Sequence, residues 1–243
     1  MASAQSMTGL GFLSGGSSSH ALGISSDGSV VVGQAATPSF GHAFRWTRSG
    51  GMQNLGAPPA GQDYYRQATA TNGDGSVVVG IFGSSSGARA FRWTSAGGAE
   101  ELGTFPGGTQ SSAYGVSRDG SIIVGFATDA DQQLACRWTS GGGIQSLGTL
   151  PGENYSIAED VSADGSVVVG QSWSSFLTRA FRWTSAGGMQ DLGLLPGETQ
   201  TSASVVSANG LVVFGLSYTD PFDGFRCFRW TSAEGMQDVG VLP

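Results

Sequence analysis

The sequence is short of the residues on which many functional sites depend. Its 243 residues include two histidines, two cysteines and no lysine. All eleven cationic residues are arginines against eighteen acidic ones, giving a formal net charge of -7 and a pI near 4.6. A nucleic-acid surface needs clustered basic residues that neutralise phosphates, so this balance argues against nucleic-acid binding. Two histidines and two distant cysteines also make a poor set of metal ligands. We therefore predict neither a metal nor a cofactor.

Long apolar runs and catalytic motifs are missing as well. No apolar run approaches the length needed to span a membrane, so we expect no membrane insertion. His20 and His42 accompany no Gly-x-Ser-x-Gly nucleophile elbow. The glycines lie in hairpin-like turns, without the strand–loop–helix context of a phosphate-binding loop. Helical periodicity is absent too. These absences predict an all-β protein without a recognisable catalytic centre.

The two cysteines are predicted to be unpaired. Cys136 and Cys227 fall in repeats that are not neighbours, whereas a disulfide requires closely spaced Cα atoms. We interpret both as small buried hydrophobic residues.

The sequence contains one unit repeated five times. An Arg-Trp pair recurs at steps of 47, 45, 45 and 47 residues. A period of about 40–45 residues with several short strands is typical of propeller blades. We predict one domain, residues 1–243, folded as a five-bladed β-propeller with four antiparallel strands per blade. The predicted repeats are 17–61, 62–108, 109–153, 154–198 and 199–243.

The third repeat illustrates the predicted strands a to d, at 113–117, 121–126, 134–139 and 144–148. Asp-Gly or Asn-Gly between a and b predicts a two-residue type I′ hairpin, and a two-residue turn is also predicted between c and d. That second turn would place Arg92 opposite Glu101, Arg182 opposite Asp191 and Arg229 opposite Asp238, as cross-strand ion pairs. Uninterrupted valines in strand b favour a strand covered on both faces.

Residues 6–16 contain an additional d-like segment, Met7-Thr8-Gly9-Leu10-Gly11. The sequence leaves three interpretations open: the segment lies outside the ring, it displaces the last d strand in closure, or the chain is cut from a longer array. A spare strand left exposed would allow self-association, because an open edge invites pairing between molecules.

Sequence variation among the repeats is confined to the b–c and d–a connections, which emerge on one face of an antiparallel blade. Loops on a rigid scaffold commonly carry binding, so this face is the candidate functional surface. Exposed aromatics could stack on sugar rings or capture a protein; the alternative is that each closes a loop onto its blade. The candidate ligand-binding residues are Tyr64, Tyr65, Tyr155, Trp173, Phe176, Tyr218 and Phe222.

Glu159 and Asp160 are the second candidate set, because strand a of the fourth repeat is predicted to line the central channel. Paired carboxylates could act as acid and base or hold a cation. Adjacent strand residues point to opposite faces, however, so the two should not converge on one substrate atom.

The unit Ala-Phe-Arg-Trp-Thr…Gly-Gly-Met-Gln-Asp-Leu-Gly-x-Leu-Pro-Gly resembles the bacterial extracellular repeat family named for its His-Ala-Phe (HAF) motif. His42-Ala43-Phe44 matches the name literally, while the other repeats keep part of it. The resemblance covers essentially the whole chain. It implies a secreted or surface-attached bacterial protein, and it carries no activity over to particular residues. The first residues resemble the junction left when a signal peptide is removed.

From these observations we expect a non-enzymatic, exported binding or adhesion module that recognises a glycan or a surface protein through the variable loops. Two alternatives stay open: a carbohydrate-active enzyme that uses the channel carboxylates, and a structural spacer in a larger surface protein.

Overall fold

The computed structural model describes residues 8–38, 40–56, 65–84, 87–141, 143–175, 177–219 and 224–240. These residues form twenty strands and no helix. The strands fall into five groups of four, one for each sequence repeat, which we call units 1 to 5. The predicted all-β class is confirmed.

Unit 1 contains β1 (Ser18–Ile24), β2 (Val30–Ala36), β3 (Gly41–Thr47) and β4 (Gly51–Asn54). Unit 2 contains β5 (Tyr65–Thr71), β6 (Val77–Ser84), β7 (Gly87–Thr94) and β8 (Gly98–Glu101). Unit 3 contains β9 (Ser111–Val116), β10 (Ile122–Thr128), β11 (Gln133–Thr139) and β12 (Gly143–Gly148). Unit 4 contains β13 (Tyr155–Val161), β14 (Val167–Trp173), β15 (Thr178–Thr184) and β16 (Gly188–Asp191). Unit 5 contains β17 (Gln200–Val206), β18 (Val213–Tyr218), β19 (Arg226–Thr231) and β20 (Gly235–Asp238).

Within each unit, consecutive strands pair antiparallel in the order a, b, c, d. One parallel bridge, between Gly41 and Tyr65, joins units 1 and 2 into an eight-stranded sheet. The other three units are separate four-stranded sheets.

The a–b turn is not the predicted type I′ hairpin. Such a turn needs positive φ at two central residues, but every described residue with positive φ is a glycine. In unit 1, Gly28 has φ 71° and its N–H donates to the Ser25 carbonyl, while the Asp27 carboxylate accepts from Ser25 Oγ at 2.6 Å and Ser29 N at 2.9 Å. The aspartate therefore serves as a side-chain acceptor, and the glycine alone supplies the left-handed position.

The c–d turn has three residues instead of two, and this shifts the predicted register by one position. Thr94 pairs with Gly98, so Arg92 lies opposite Glu100 and not Glu101. The same shift places Arg182 opposite Gln190 and Arg229 opposite Gln237. The predicted cross-strand ion pairs at these positions are wrong.

The hydrophobic core lies mainly between units. In the contact of units 4 and 5, Val167 and Val169 pack in one cluster with Val206 and Trp230. Val168 on the opposite face of the same strand is also fully buried, in the cluster that units 3 and 4 share. Strand b is thus covered on both faces, as predicted.

Backbone hydrogen bonds also connect neighbouring units at the a–b turns. The donor lies in one unit and the carbonyl acceptor in the next, at one repeated position. The four bonds run from Ser26 to Gly73 (3.0 Å), Gly73 to Arg118 (2.9 Å), Arg118 to Ala163 (3.0 Å) and Ala163 to Ala208 (3.0 Å). Strand contacts link units 1 to 5 in sequence, and no comparable contact joins the described strands of units 5 and 1.

The prediction for the cysteines is half right. Both are free, and Cys136 is fully buried, but Cys227 is exposed. Cys227 takes the position at which units 1 to 4 have a buried alanine. It is exposed because it lies on the side of unit 5 against which no described unit packs.

Candidate functional site: the variable-loop face

The b–c and d–a connections lie along one edge of the units. We call this edge the variable-loop face. Among the described residues it includes the b–c connections 129–132 and 174–175, and the d–a connections 104–110, 149–154 and 194–199. The a–b and c–d turns lie along the other edge because every strand pairing within a unit is antiparallel.

The structure describes four of the seven aromatic candidates. Tyr65 and Tyr155 begin strand a of units 2 and 4, while Trp173 and Tyr218 end strand b of units 4 and 5. All four therefore lie at the variable-loop end of their strands. Tyr64, Phe176 and Phe222 lie outside the described residues.

Tyr155 and Trp173 form a stacked pair. They are direct cross-strand partners, with ring centroids 5.7 Å apart and planes 26° from parallel. Tyr155 is 36% exposed and Trp173 is half-buried. Tyr218 instead packs edge-on against Phe225, with centroids 5.3 Å apart. These aromatics support one another within a unit, and the Tyr155–Trp173 pair still presents ring surface to solvent.

A second group of side chains lies on strand a of units 2, 3 and 4. Burial raises the pKa of Tyr114, a hydrogen bond with Ser112 opposes that rise, and the nearby Glu159 and Tyr65 raise the pKa further. Tyr65 and Glu159 therefore both lie within electrostatic range of Tyr114, although the three residues belong to three units. Tyr114 was not among the sequence candidates, because only the arrangement of the units brings it beside the other two.

The two channel candidates have different surroundings. The Asp160 carboxylate accepts hydrogen bonds from Val206 N at 2.9 Å, in the next unit, and from Val161 N at 2.8 Å. Burial raises the pKa of Asp160, and these two hydrogen bonds act in the opposite direction. Burial, and then the charge of Asp160, raises the pKa of Glu159. Asp160 thus joins units 4 and 5, whereas the Glu159 carboxyl group lies within electrostatic range of Tyr114 in unit 3.

A charged cluster that sequence reasoning missed recurs in units 4 and 5. In unit 4, Arg179 Nη1 lies 2.9 Å from Asp191 Oδ2. Glu153 lies close enough for Arg179 and Asp191 to affect its pKa, which burial raises above its usual range. Within the described residues, Glu153 Oε2 and Arg179 Nε are buried without a hydrogen-bond partner. The part of this cluster that is accessible at the variable-loop face is therefore the Arg179–Asp191 ion pair.

In unit 5 the equivalent residues are Glu198, Arg226 and Asp238. Arg226 forms ion pairs with Asp238 and, at 3.5 Å, with Glu198. The hydrogen bonds that Arg226 donates to Asp238, more than any other effect, raise the pKa of Arg226. The signal that could have identified both clusters is a glutamate two residues after the Leu-Pro of a d–a connection, followed by arginine near the start of strand c.

Unit 1 has different side chains at the same place. His42 occupies the arginine position and Asn54 the aspartate position; Asn54 Nδ2 lies 3.3 Å from His42 Nδ1. Thr37 Oγ1 lies 3.1 Å from His42 Nε2. Burial, and then the charge of Arg66, lowers the pKa of His42. One location in the repeat thus carries different hydrogen-bonding groups from unit to unit.

Two further features are absent from the described part of the chain. No three His, Cys, Asp or Glu side chains come together as a metal-binding group. No helix there is long and apolar enough to cross a membrane.

The chain was compared with known proteins and solved structures. No family model and no curated protein matches it. TolB from Acinetobacter baumannii superposes with a TM-score of 0.61 at 14% identity, over 88% of this chain and 52% of that one. A putative TolB from Agrobacterium tumefaciens gives 0.60 at 15% identity, over 90% and 79%. A structure from an analysis of two prolyl endopeptidases gives 0.64 at 11% identity, over 94% and 36%. This chain therefore spans about half the length of the Acinetobacter TolB. At these identities the likeness shows the fold alone, which is a β-propeller.

Proposed function

We propose that the chain is a non-enzymatic binding module that recognises a glycan through its variable-loop face. The observation that carries the proposal is the Tyr155–Trp173 stack, which presents ring surface to solvent at the variable-loop end of unit 4. In this proposal the five units occupy consecutive blade positions of the propeller, with the binding loops on one side.

The chemistry of the face suits a sugar ring. An aromatic surface offers flat apolar area to the C–H face of a sugar. Arginine and carboxylate groups can bond hydroxyl groups elsewhere on a glycan, as Arg179 and Asp191 would in unit 4. All these side chains lie in strands or directly beside them, so little ordering cost opposes binding.

The neighbouring units offer related positions with different side chains. Unit 5 combines Glu198, Arg226 and Asp238 with Tyr218, whereas unit 1 has His42 and Asn54. We therefore expect binding strength to differ among the units, with unit 4 the strongest site.

The enzyme alternative draws less support from the geometry. Glycoside hydrolysis commonly uses two carboxyl groups that flank one bond. Here the Asp160 oxygens are occupied by Val206 N–H and Val161 N–H, and Glu159 lies toward Tyr114. The proposal therefore assigns Asp160 to holding two units together.

We also propose that the protein is exported and acts at the bacterial cell surface. The support is the His-Ala-Phe repeat pattern together with a chain free of lysine and rich in acidic residues.

A glycan array followed by tryptophan fluorescence titration of any hit tests the proposal. Loss of one stacking surface, worth about 0.5–1.5 kcal/mol, predicts that Trp173→Ala weakens binding by up to about tenfold. Trp173→Phe should keep most of the affinity because it preserves a ring. Arg48→Ala, in an exposed c–d turn on the opposite edge, should bind like the unmodified chain.

Saturable binding that Trp173→Ala leaves unchanged would sink the assignment to this pair. If the chain binds no glycan but captures a surface protein in a Trp173-dependent way, the variable-loop face is the binding surface and its ligand is a protein.

A further inference from the structure

The two ends of the row of units expose the two halves of a single interface. Units 2 to 5 each bury an alanine of strand a against the unit before it: Ala68, Ala113, Ala158 and Ala203 are at most 1% exposed. The equivalent Ala21 of unit 1 is exposed. Ile24 is 62% exposed, whereas its equivalents Val161 and Val206 are 6% exposed. Unit 1 therefore presents an apolar face made to receive a preceding unit.

Unit 5 presents the complementary face. Phe214 is 43% exposed, although the equivalent valines Val32, Val79, Val124 and Val169 are fully buried. Cys227 is exposed where Ala43, Ala90, Ala135 and Ala180 are at most 1% exposed. Val205 on the same side is 51% exposed. These residues form a surface that in units 1 to 4 packs against the following unit.

The backbone groups that join neighbouring units are also unpaired with other backbone groups at these two ends, among the described residues. Among the described residues, the Ala208 N–H donates to no backbone carbonyl and the Ser26 carbonyl accepts from no backbone N–H, although this bond forms at all four internal contacts. A Cβ added to Gly75, Gly120, Gly165 or Gly210 would strike the first strand-b residue of the preceding unit. Gly28 of unit 1 has nothing within 4 Å of such a Cβ.

The N-terminal segment Thr8–Gly16 already occupies part of the gap. Ser19 Oγ donates to the Gly11 carbonyl at 2.9 Å, as Ser156 Oγ does to Gly148 and Thr201 Oγ1 does to Gly193 at the other d–a connections. Gly11 and Gly15 have φ of 81° and 76°, and their equivalents Gly148 and Gly152 have 81° and 85°. Leu13, at 8% exposed, packs with Phe44 as Leu195 packs with Phe228. This segment therefore takes, beside unit 1, the place that the d–a connections take before units 4 and 5.

We infer that the gap between units 5 and 1 binds a three-stranded a–b–c segment of the same repeat pattern, with the segment Thr8–Gly11 as its fourth, outer strand. A second copy of the chain fits this gap less well. Its unit 5 brings its own outer strand β20, which would compete with Thr8–Gly11 for the same edge. The inference goes beyond the proposed function because it concerns the ends of the row and not the loop face.

Cys227 provides the test. We would append residues 152–187, which continue the repeat pattern after Pro243, to the whole chain and measure thiol labelling. In the unmodified chain Cys227 should react readily, while Cys136 stays protected. In the extended chain, Cys227 should become as buried as the alanines it replaces, so its labelling should slow on the order of a hundredfold. The extended chain should stay monomeric and melt at a higher temperature.

Ala21→Arg is the matched control. Since Ala21 is exposed, the substitution should leave the unmodified chain unchanged, and it should abolish the gain in melting temperature of the extended chain. A second extension, built from residues 107–142, guards against failure of one fusion to fold. If Cys227 reacts equally fast in both extended chains, the inference is overturned. It is also overturned if the unmodified chain is a dimer that protects Cys227, because a second copy then fills the gap.

Discussion

Two tryptophans at the same repeat position should differ in their contribution to stability. Trp183 lies between units 3 and 4 and is 6% exposed, whereas Trp46 lies on the open face of unit 1 and is half-buried. Trp183 packs with the cluster that units 3 and 4 share, and the Arg137 guanidinium lies 4.8 Å from its ring centroid. Trp46 packs against residues near its own unit, Leu13 and Phe44.

The expected costs follow from these surroundings. Trp183→Ala removes a buried aromatic side chain, at about 3–5 kcal/mol, and a cation–π contact of roughly 0.5–1 kcal/mol. Trp46→Ala removes a side chain with one covered face, so we expect about half that cost, near 2 kcal/mol. The two variants should therefore differ in unfolding free energy by about 2 kcal/mol.

Urea unfolding of both variants beside the unmodified chain measures the difference, provided that the slopes agree. Equal costs would refute the reasoning. They would mean that unit 1 is covered in solution as completely as unit 4, by its own chain or by another copy.

Two other perturbations test the roles assigned to carboxylates. Asp160→Ala leaves the N–H groups of Val206 and Val161 without their acceptor, so thermal unfolding should show a loss of about 1–3 kcal/mol; an unchanged melting temperature would contradict the role of Asp160 in joining units 4 and 5. The second perturbation replaces the three a–b turn aspartates whose pKa is lowered to about 2: Asp27, Asp119 and Asp164. Hydrogen bonds from serine hydroxyl and backbone N–H groups lower these pKa values, so their stabilising effect is present above the unfolded value of 3.8 and is lost as the pH falls toward 2. The triple Asp→Asn variant should therefore lose less stability between pH 4 and pH 2 than the unmodified chain, measured as melting temperature, because Asn209 shows that asparagine keeps the same turn; an equally steep loss would show that other groups control acid unfolding.

The repeat made the strands predictable because each unit meets the same physical demands. Strand b reads Val-Val-Val-Gly in units 1, 2 and 4 and Ile-Ile-Val-Gly in unit 3. The glycine is needed because a Cβ on Gly170 would strike the Ile157 carbonyl oxygen. The period alone therefore located all five units. The turns were predicted less well, since an Asp-Gly pair serves both a type I′ turn and the observed turn with one positive φ. The one-residue error in the c–d turn then misplaced every arginine partner.

The site was harder to predict because its contacts depend on strand register and on how the units pack. Trp173 and Tyr155 were identifiable as departures from the repeat. Their stacking depends on the register of β13 against β14, which the sequence does not contain directly. The proximity of Tyr114 to Glu159 depends on how two units pack, so no motif within one repeat could reveal it.

The units serve as controls for one another, and this separates structure from function within a single chain. Some residues, such as Trp183 and Gly165, stay constant because every interface between units needs them. Replacing the equivalent residue should therefore lower stability by a similar amount in each of units 2 to 5. A residue such as Arg179, replaced by His42 in unit 1 and by Leu134 in unit 3, cannot be required by the interface. Because Arg179 lies on the variable-loop face, such differences between units can change what this face recognises. The exposed residues at the ends follow the opposite logic: Phe214 and Cys227 occupy positions that are buried in every other unit. Their exposure therefore identifies a missing neighbour and not a ligand.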